Sequence, residues 1–572
     1  MGSLFKTSNL LRCCVLSLPL LLYVFFYTLA RSDSDTVILF LISVAVYATA
    51  VILLYLVTDK TKMEQRLMSM TETSGIDNRL PVRSIIIVIF ESVICMGVFS
   101  QSSPLYPTNT WGDANLFFTV TKSMIHGNVL YRDIFDQKGP FLYFLHVPAV
   151  LVSDTSFIGV YILETICFAV FLLFLYKTAA LFTKPGILTD ILFFLVSVVI
   201  CSADAFCQGD SAEELMLPVY SATIYIGLKN TRLNKLPDCK DGVVTGALAS
   251  LVFWTKYTLC GVFLGFVVFI VAVCVRKKQI RSLMRLVIAF VIGFVIVSLP
   301  VFVYFAANGA LNSLVDGYFY DNLFRYSGAK EGDYEAMPLL VRVVFSFIYF
   351  FANCEPVVFL MMFTGFFFLA RLKNSSCFAF AITSLITSII GVFIGGYTIR
   401  YYVLMLYAFV GLFIIPCSLL INAWADRKKH FNVLLAVGLL LCPLITLWGF
   451  SRSDYTCLIL TSREALPQYR FAKIINSSDD RTLINYGFLD GGFYLATDTN
   501  PFIRHYCMFS SDSFRMEEQN QVISEQRTQY IVTCDMCPEF EGYSIIDQAS
   551  LESTFTGIIP EENGTYYLYK LD

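Results

Sequence analysis

The chain has 572 residues, of which 56% are hydrophobic, 16% aromatic and only 15% charged, and its mean hydropathy is +0.66. Average soluble proteins are roughly 45–50% apolar and about 25% charged, so these values exclude a soluble enzyme and, equally, an intrinsically disordered chain. The net charge of −3 lacks the basic excess of nucleic-acid binders, so no nucleic-acid partner is expected and a polytopic membrane protein remains.

A helix needs about 20 apolar residues to cross the hydrocarbon core. Runs near that length predict an all-α membrane bundle of about thirteen transmembrane helices. They lie at 10–30, 36–57, 83–100, 157–182, 187–202, 214–228, 242–256, 258–275, 284–306, 341–370, 376–395, 402–424 and 431–450. The first run looks like a signal peptide, but no small-residue cleavage site follows, so it is read as a retained helix. Met1-Gly2 lacks the Ser or Thr of a myristoylation motif where Lys6 stands. Segment 140–153 is apolar but short and is interrupted by Pro140 and Pro148. It is read as interfacial or re-entrant. The 242–275 stretch is too long for one helix, and it divides at Lys256, where a lone ammonium group can snorkel to an interface.

Loop charges set the expected orientation. Lys60, Lys62, Arg66, Arg79 and Arg83 fall on one side. Lys177 and Lys184, then Lys229, Arg232, Lys235 and Lys240, then Arg276, Lys277, Lys278, Arg281 and Arg285 follow on that side. Arg371 and Lys373, and Arg427, Lys428 and Lys429, complete it. The positive-inside rule places this side in the cytoplasm. Loops 101–156, 202–213, 307–340 and 396–401 then face outward. The expected location is the plasma membrane, multi-pass, with the N-terminus cytoplasmic and the C-terminal region outside.

Three regions follow: 1–82, two helices and a cytoplasmic loop; 83–450, the main transmembrane module; and 451–572, a small extracytoplasmic α/β domain. In the last, RTLINYG, QYIVTC and TYYLYKL read as strands between turn-rich segments. Cys534-x-x-Cys537 reads as a disulfide or as half a zinc site, and no second CxxC follows.

Long acidic outer loops in so apolar a chain point to chemistry. The first contains WGDANLFFTVTKSMIHGNVLYRDIFDQKGPF. Asp113 opens it, a helical stretch of about fifteen residues follows, and then come Asp133, Asp136 and Lys138. Loop 202–213 supplies Asp204, Asp210 and Glu213, with Glu214 next. Carboxylates converging at a membrane surface suit general-base work or metal binding. An equally plain reading puts Asp210, Glu213 and Glu214 at a helix N-terminus, where carboxylates are favoured. Lys138, Lys256 and Arg400 lie on the same face and suit an anionic head group. Arg400 also stands beside Tyr401 and Tyr402, as in an interfacial aromatic belt.

The order of these parts resembles the GT-C superfamily of membrane glycosyltransferases. They are a span, an outer loop opening with Asp, then G-x-x-x-YRDxFDxKGP and a second acidic loop, QGDSAEELMLP. GALASLVFWTKYT, GYFYDNLFRY and GGYTIRYYVLMLYAF are also similar to later parts of these proteins. The likeness is to the bacterial branch with protein O-mannosyltransferases and lipid A aminoarabinose transferases, and it covers about 85–450. The resemblance implies an inverting glycosyltransferase taking its sugar from a polyprenyl-phosphate donor, with Asp113 as general base. It implies Lys138 at the carrier phosphate, Asp133 and Asp136 as the acidic stretch just before it, and Asp210 and Glu213 as second-loop acids that bind the acceptor or, in oligosaccharyltransferases, a metal. Arg400 departs from the family pattern. A divalent metal is possible, and the acceptor is a glycan, lipid or protein. No nucleotide-binding glycine fingerprint occurs, consistent with a lipid-linked donor. The alternative function is a transporter or flippase of lipid-linked sugars, and a further one is a non-catalytic relative that binds such lipids. Transporters often have two repeated halves; none is visible here, and the acids gather at one surface.

Overall fold

The computed structural model describes residues 18–30, 80–325, 337–372, 375–397, 399–425, 428–508, 513–550 and 564–572. The expected span 36–57, the beginning of the span 10–30 and most of the 1–82 region lie outside the described residues, as do Lys60, Lys62, Arg66, Arg79, Lys373 and Arg427.

The described chain is mostly helical, and its helices fall where the apolar runs predict them. They are α1 (Leu18–Leu29), α2 (Val82–Phe99), α3 (Gly112–Ile125), α4 (Pro140–Val152), α5 (Ile158–Ala180) and α6 (Ile187–Cys201). Then come α7 (Ala212–Arg232), α8 (Cys239–Phe253), α9 (Gly261–Arg276) and α10 (Ile280–Ala307). After a π-helical turn, Val315–Arg325, follow α11 (Leu339–Asn353), α12 (Pro356–Arg371), α13 (Ser375–Phe393), α14 (Gly411–Ala425) and α15 (Lys428–Arg452). Among the described residues, seven helices are long and apolar enough to cross a bilayer, or eight if a bent pair counts as one span. Segment 140–153 forms the short helix α4, 13 residues long.

Two irregularities come from residues the sequence displays. Segment 341–370, expected as one span, is instead the two helices α11 and α12, bent by 117°. Pro356 lacks an N–H and pushes the residue before it out of helical conformation; Glu355 accordingly has φ −59° and ψ 138°. Its carboxylate pairs with Arg452 at the end of α15. The second irregularity is the break between α8 and α9, where Trp254, Thr255 and Lys256 leave the helix.

Helices without a water-driven attraction between them rely on close backbone approach through small residues. On α8, Gly242 and Gly246 have the G-x-x-x-G spacing and face α10. A Cβ at Gly246 would lie 1.9 Å from the Phe290 carbonyl oxygen, and one at Gly293 would lie 1.9 Å from that of Val243.

The C-terminal region carries a four-stranded sheet in the order β1-β2-β4-β3, formed by β1 (Leu483–Tyr486), β2 (Tyr530–Cys534), β3 (Tyr543–Ser550) and β4 (Thr565–Leu571). β1 and β2 are parallel, and the other pairs are antiparallel. With α16 (Pro467–Ile475), α17 (Phe493–Thr497) and α18 (Ser513–Ser524) it makes the expected small α/β domain. β3 has no expected counterpart. It is an edge strand with a register shift between Ile545 and Asp547, and its mostly solvent-facing residues give no apolar alternation. Cys534 and Cys537 are free thiols.

Gly246→Val should force α8 and α10 apart and destabilise the protein by about 1–3 kcal/mol or more. Thermal unfolding in detergent would register this as a lowered midpoint.

Candidate active site

A cavity of about 270 Å³ opens where the 101–139 loop, the α8–α9 break, α11 and the segment before α14 meet the C-terminal domain. Its wall includes Asp113, Asp136, Lys138, Lys256, Arg342, Tyr401, Tyr402 and Leu489.

Asp113 is the second residue of α3, where the helix N-terminus favours a carboxylate. Tyr401 donates to its Oδ2 at 3.1 Å, and the Lys138 ammonium is 3.7 Å away. Both charged side chains keep slight access to the cavity, at 14% and 10% exposure. The Gly139-Pro140 turn explains how Lys138 gets there. A Cβ on Gly139 would lie 2.0 Å from the Trp254 carbonyl oxygen. Gly139 N–H donates to Thr255 O at 2.9 Å, and Phe141 N–H to Trp254 O at 3.0 Å. The turn thus clasps the broken end of α8 and sets Lys138 and Lys256 on one cavity.

Lys256 reaches Glu213 at 2.6 Å and lies 3.6 Å from the centre of the Tyr402 ring, a cation–π contact that strengthens when desolvated. Glu213 sits in the first turn of α7, whose N-cap Ser211 accepts the Glu214 N–H. Helix-start and functional readings of this carboxylate therefore coexist. Glu213 is fully buried behind the lysine and is not itself on the cavity wall.

The remaining predicted acids separate. Asp136 is buried and receives the Tyr143 hydroxyl. Burial raises its carboxyl above the ordinary range, and Lys138 and the Tyr143 hydrogen bond oppose this. Asp133 instead turns away to a bidentate pair with Arg132 at 2.8–2.9 Å, which holds its carboxyl below the ordinary range. It also caps Val129 N–H at 2.8 Å: it shapes the loop and does not line the cavity. Asp210 is fully buried, accepts from His146 Nε2 at 2.9 Å if that nitrogen is protonated, and burial raises its carboxyl. It sits behind the cavity beside Glu164 and Glu214, both of which accept the Asp210 N–H. Among the described residues, no group of three or more His, Cys, Asp or Glu is arranged to hold a metal ion.

Arg400 is exposed and outside the cavity wall. Arg342 occupies the wall instead, its guanidinium donating to the Ile394 carbonyl at 2.9 and 3.2 Å. Sequence reading passed over it, although a lone Arg at the start of an apolar run is a signal in itself. Tyr401 and Tyr402, read as an interfacial belt, are cavity residues. They open an 11-residue 3-10 segment, Arg400–Val410, long for that conformation.

The C-terminal domain reaches the cavity through the turn 487–492. Leu489 lines the wall and packs on Gly112. The next residue, Asp490, is buried and accepts from Thr119 of α3 at 2.5 Å and from Gly492 N–H at 2.9 Å.

Neither a protein-family model nor a curated protein matches the sequence. Solved structures do match the fold. ArnT from Cupriavidus metallidurans bound to undecaprenyl phosphate superposes with a TM-score of 0.52 at 10% identity, over 84% of this chain and 97% of that one. The same protein in the apo state gives 0.51 at 11% identity, over 85% and 97%. The chain has the ArnT fold. ArnT is a lipid A aminoarabinose transferase of the GT-C type, so the resemblance stated from the sequence motifs holds as a likeness of architecture, with a helical membrane module followed by a small C-terminal domain.

Burial raises the Asp490 carboxyl to about 6, against opposing hydrogen bonds from Thr119, Gly492 and Asn485. A raised carboxyl binds its proton more tightly folded than unfolded. Its favourable contribution is therefore complete below the unfolded value near 4 and is lost as pH rises through about 6. The difference corresponds to roughly 3 kcal/mol. Proteolytic release of the C-terminal domain should be slower at pH 4.5 than at pH 7.5, and Asp490→Asn should flatten that dependence.

Proposed function

We propose that this protein is an integral membrane glycosyltransferase. It moves a sugar from a polyprenyl-phosphate donor to an acceptor at the outer face of the plasma membrane, with inversion. The observation that carries this reading is one cavity holding a carboxylate, Asp113, opposite the cations Lys138, Lys256 and Arg342. The ArnT fold and the undecaprenyl phosphate named in one ArnT structure add to it.

The chemistry follows from these groups. The leaving group is a lipid phosphate, so the departing oxygen gains charge that nearby cations stabilise. Lys138, Lys256 and Arg342 are the residues for that task. The acceptor hydroxyl needs one base in line with the anomeric carbon, and Asp113 serves. A single displacement inverts the anomeric centre, without the second nucleophilic carboxylate of retaining hydrolases. The Lys138 ammonium lies 3.7 Å from the Asp113 carboxylate, so cation and base share one wall of the cavity. The Tyr401 hydroxyl meanwhile keeps the carboxylate oriented.

The isoprenoid tail needs an apolar path. An apolar cavity of about 540 Å³, lined by α1, α11, α12 and α13, shares α11 and α13 with the polar one. Arg342 and Phe347 on α11, and Val392 and Ile389 on α13, divide between the two. A lipid phosphate can thus place its head and tail along the same pair of helices. The basic loops support a cytoplasmic N-terminus and an outer C-terminal domain.

Asp113→Asn should reduce transfer of labelled sugar from polyprenyl-phosphate donors by at least ~100-fold while the protein remains folded. Lys138→Ala and Arg342→Ala should chiefly weaken donor binding. Asp133→Asn and Arg400→Ala, which lie off the cavity, should stay within a factor of about three. Full transfer by Asp113→Asn would remove it as the base. Lipid-linked sugar translocated by the purified protein without any transfer would instead establish the flippase alternative.

A further inference from the structure

The outer domain inserts a buried cation between two walls of the cavity. Arg515, in the first turns of α18, is only 1% exposed. Its Nη2 donates to both carboxylate oxygens of Asp321, at 2.7 and 2.6 Å. Its guanidinium also lies 4.7 Å from the centre of the Phe135 ring, and Arg504 covers the same ring at 5.5 Å. Phe135 N–H donates to the Arg504 carbonyl at 3.1 Å.

Each of the two residues that Arg515 grips directly precedes a cavity residue. Phe135 is followed by Asp136, Gln137 and Lys138. Asp321 is followed by Asn322. The walls are joined again at the cavity itself, where Asn322 Nδ2 donates to Gln137 O at 2.8 Å. A surface arginine joining two domains would be solvated and weakly held. This one is desolvated, held through Nη2 by both carboxylate oxygens of Asp321 and stacked on Phe135, so charge and packing fix it together.

We infer that Arg515 is a positioning residue of the outer domain: it holds the 135–138 wall against the 318–322 wall and thereby sets Lys138 for the donor phosphate. This rests on the reading of the cavity as a polyprenyl-phosphate site. The outer domain is then part of the donor site rather than an acceptor platform alone.

The test uses the full-length protein in detergent with two readouts. Amide hydrogen exchange of the ligand-free protein reports the walls, and binding of undecaprenyl phosphate itself reports the site. Arg515→Ala should speed exchange in both 129–138 and 315–325 and weaken undecaprenyl phosphate about tenfold or more. Arg515→Lys keeps the charge without the planar guanidinium that stacks on Phe135 and should fall between. Arg515→Ala combined with Lys138→Ala should bind no more weakly than Lys138→Ala alone, because the arginine acts through that wall. A general loss of stability would instead add to the Lys138 effect. Should Arg515→Ala fail to fold, Asp321→Asn is measured in its place with the same expectations. Unchanged exchange in either wall, or unchanged affinity in a wild type that binds, overturns the positioning role alone. A wild type that does not bind undecaprenyl phosphate overturns the donor-site reading and this role with it, whereas the exchange result still separates a mechanical coupling from none.

Discussion

An ammonium group inside an apolar bundle needs a carboxylate, and the Lys256–Glu213 pair is the contact on which the cavity depends. Glu213 can be buried because it begins a helix, and Lys256 can reach it because α8 ends one turn early. That early end exposes the Trp254 and Thr255 carbonyls, and the Gly139 turn docks on them. Lys138 arrives with the turn and lies near Asp113. One broken helix therefore gathers residues far apart in the chain around a single space. Replacing either partner would leave a buried charge without compensation, a loss of about 3–5 kcal/mol.

Non-helical backbone within a membrane module is tolerated where it is buried in protein or lines a cavity. The irregular segments here follow that rule. The α8–α9 break, the π-helical turn and the 3-10 segment before α14 all contribute to the cavity wall. The α11–α12 bend does not, and it is buried against Arg452 of α15 instead. Irregularity marks the site more sharply than any single charged residue does.

The C-terminal domain is continuous with the membrane module in its packing. Residues from β1, β2 and β4 belong to the same apolar cluster as the transmembrane helices. Leu489 closes one side of the cavity, and the turn that carries it is tied to α3 through Asp490 and Thr119. The helix bearing Asp113 is therefore held at its start by the domain that follows the membrane module. Folding of the two regions is coupled through these buried polar contacts, which lose much of their strength once water enters.

Much of this protein was legible in its sequence because the bilayer leaves few choices. Span positions follow from apolar length, and even the break at Lys256 follows from the difficulty of burying a lone ammonium. The outer strands β1, β2 and β4 show their own pattern, whereas the polar edge strand β3 does not. Asp113, Lys138 and Lys256 were recognisable as polar groups at helix ends and on loops. Their convergence was not, because it depends on close backbone contact at Gly139, which residue types alone do not specify. Asp133 turns to its own neighbour Arg132, whereas tertiary structure alone sent Asp210 to His146 and put Arg342 on the wall in place of Arg400. Composition and periodicity constrain each helix separately through its solvent. Which charges share a cavity is decided by packing between distant segments, where a shift of a few ångströms exchanges one ion-pair partner for another.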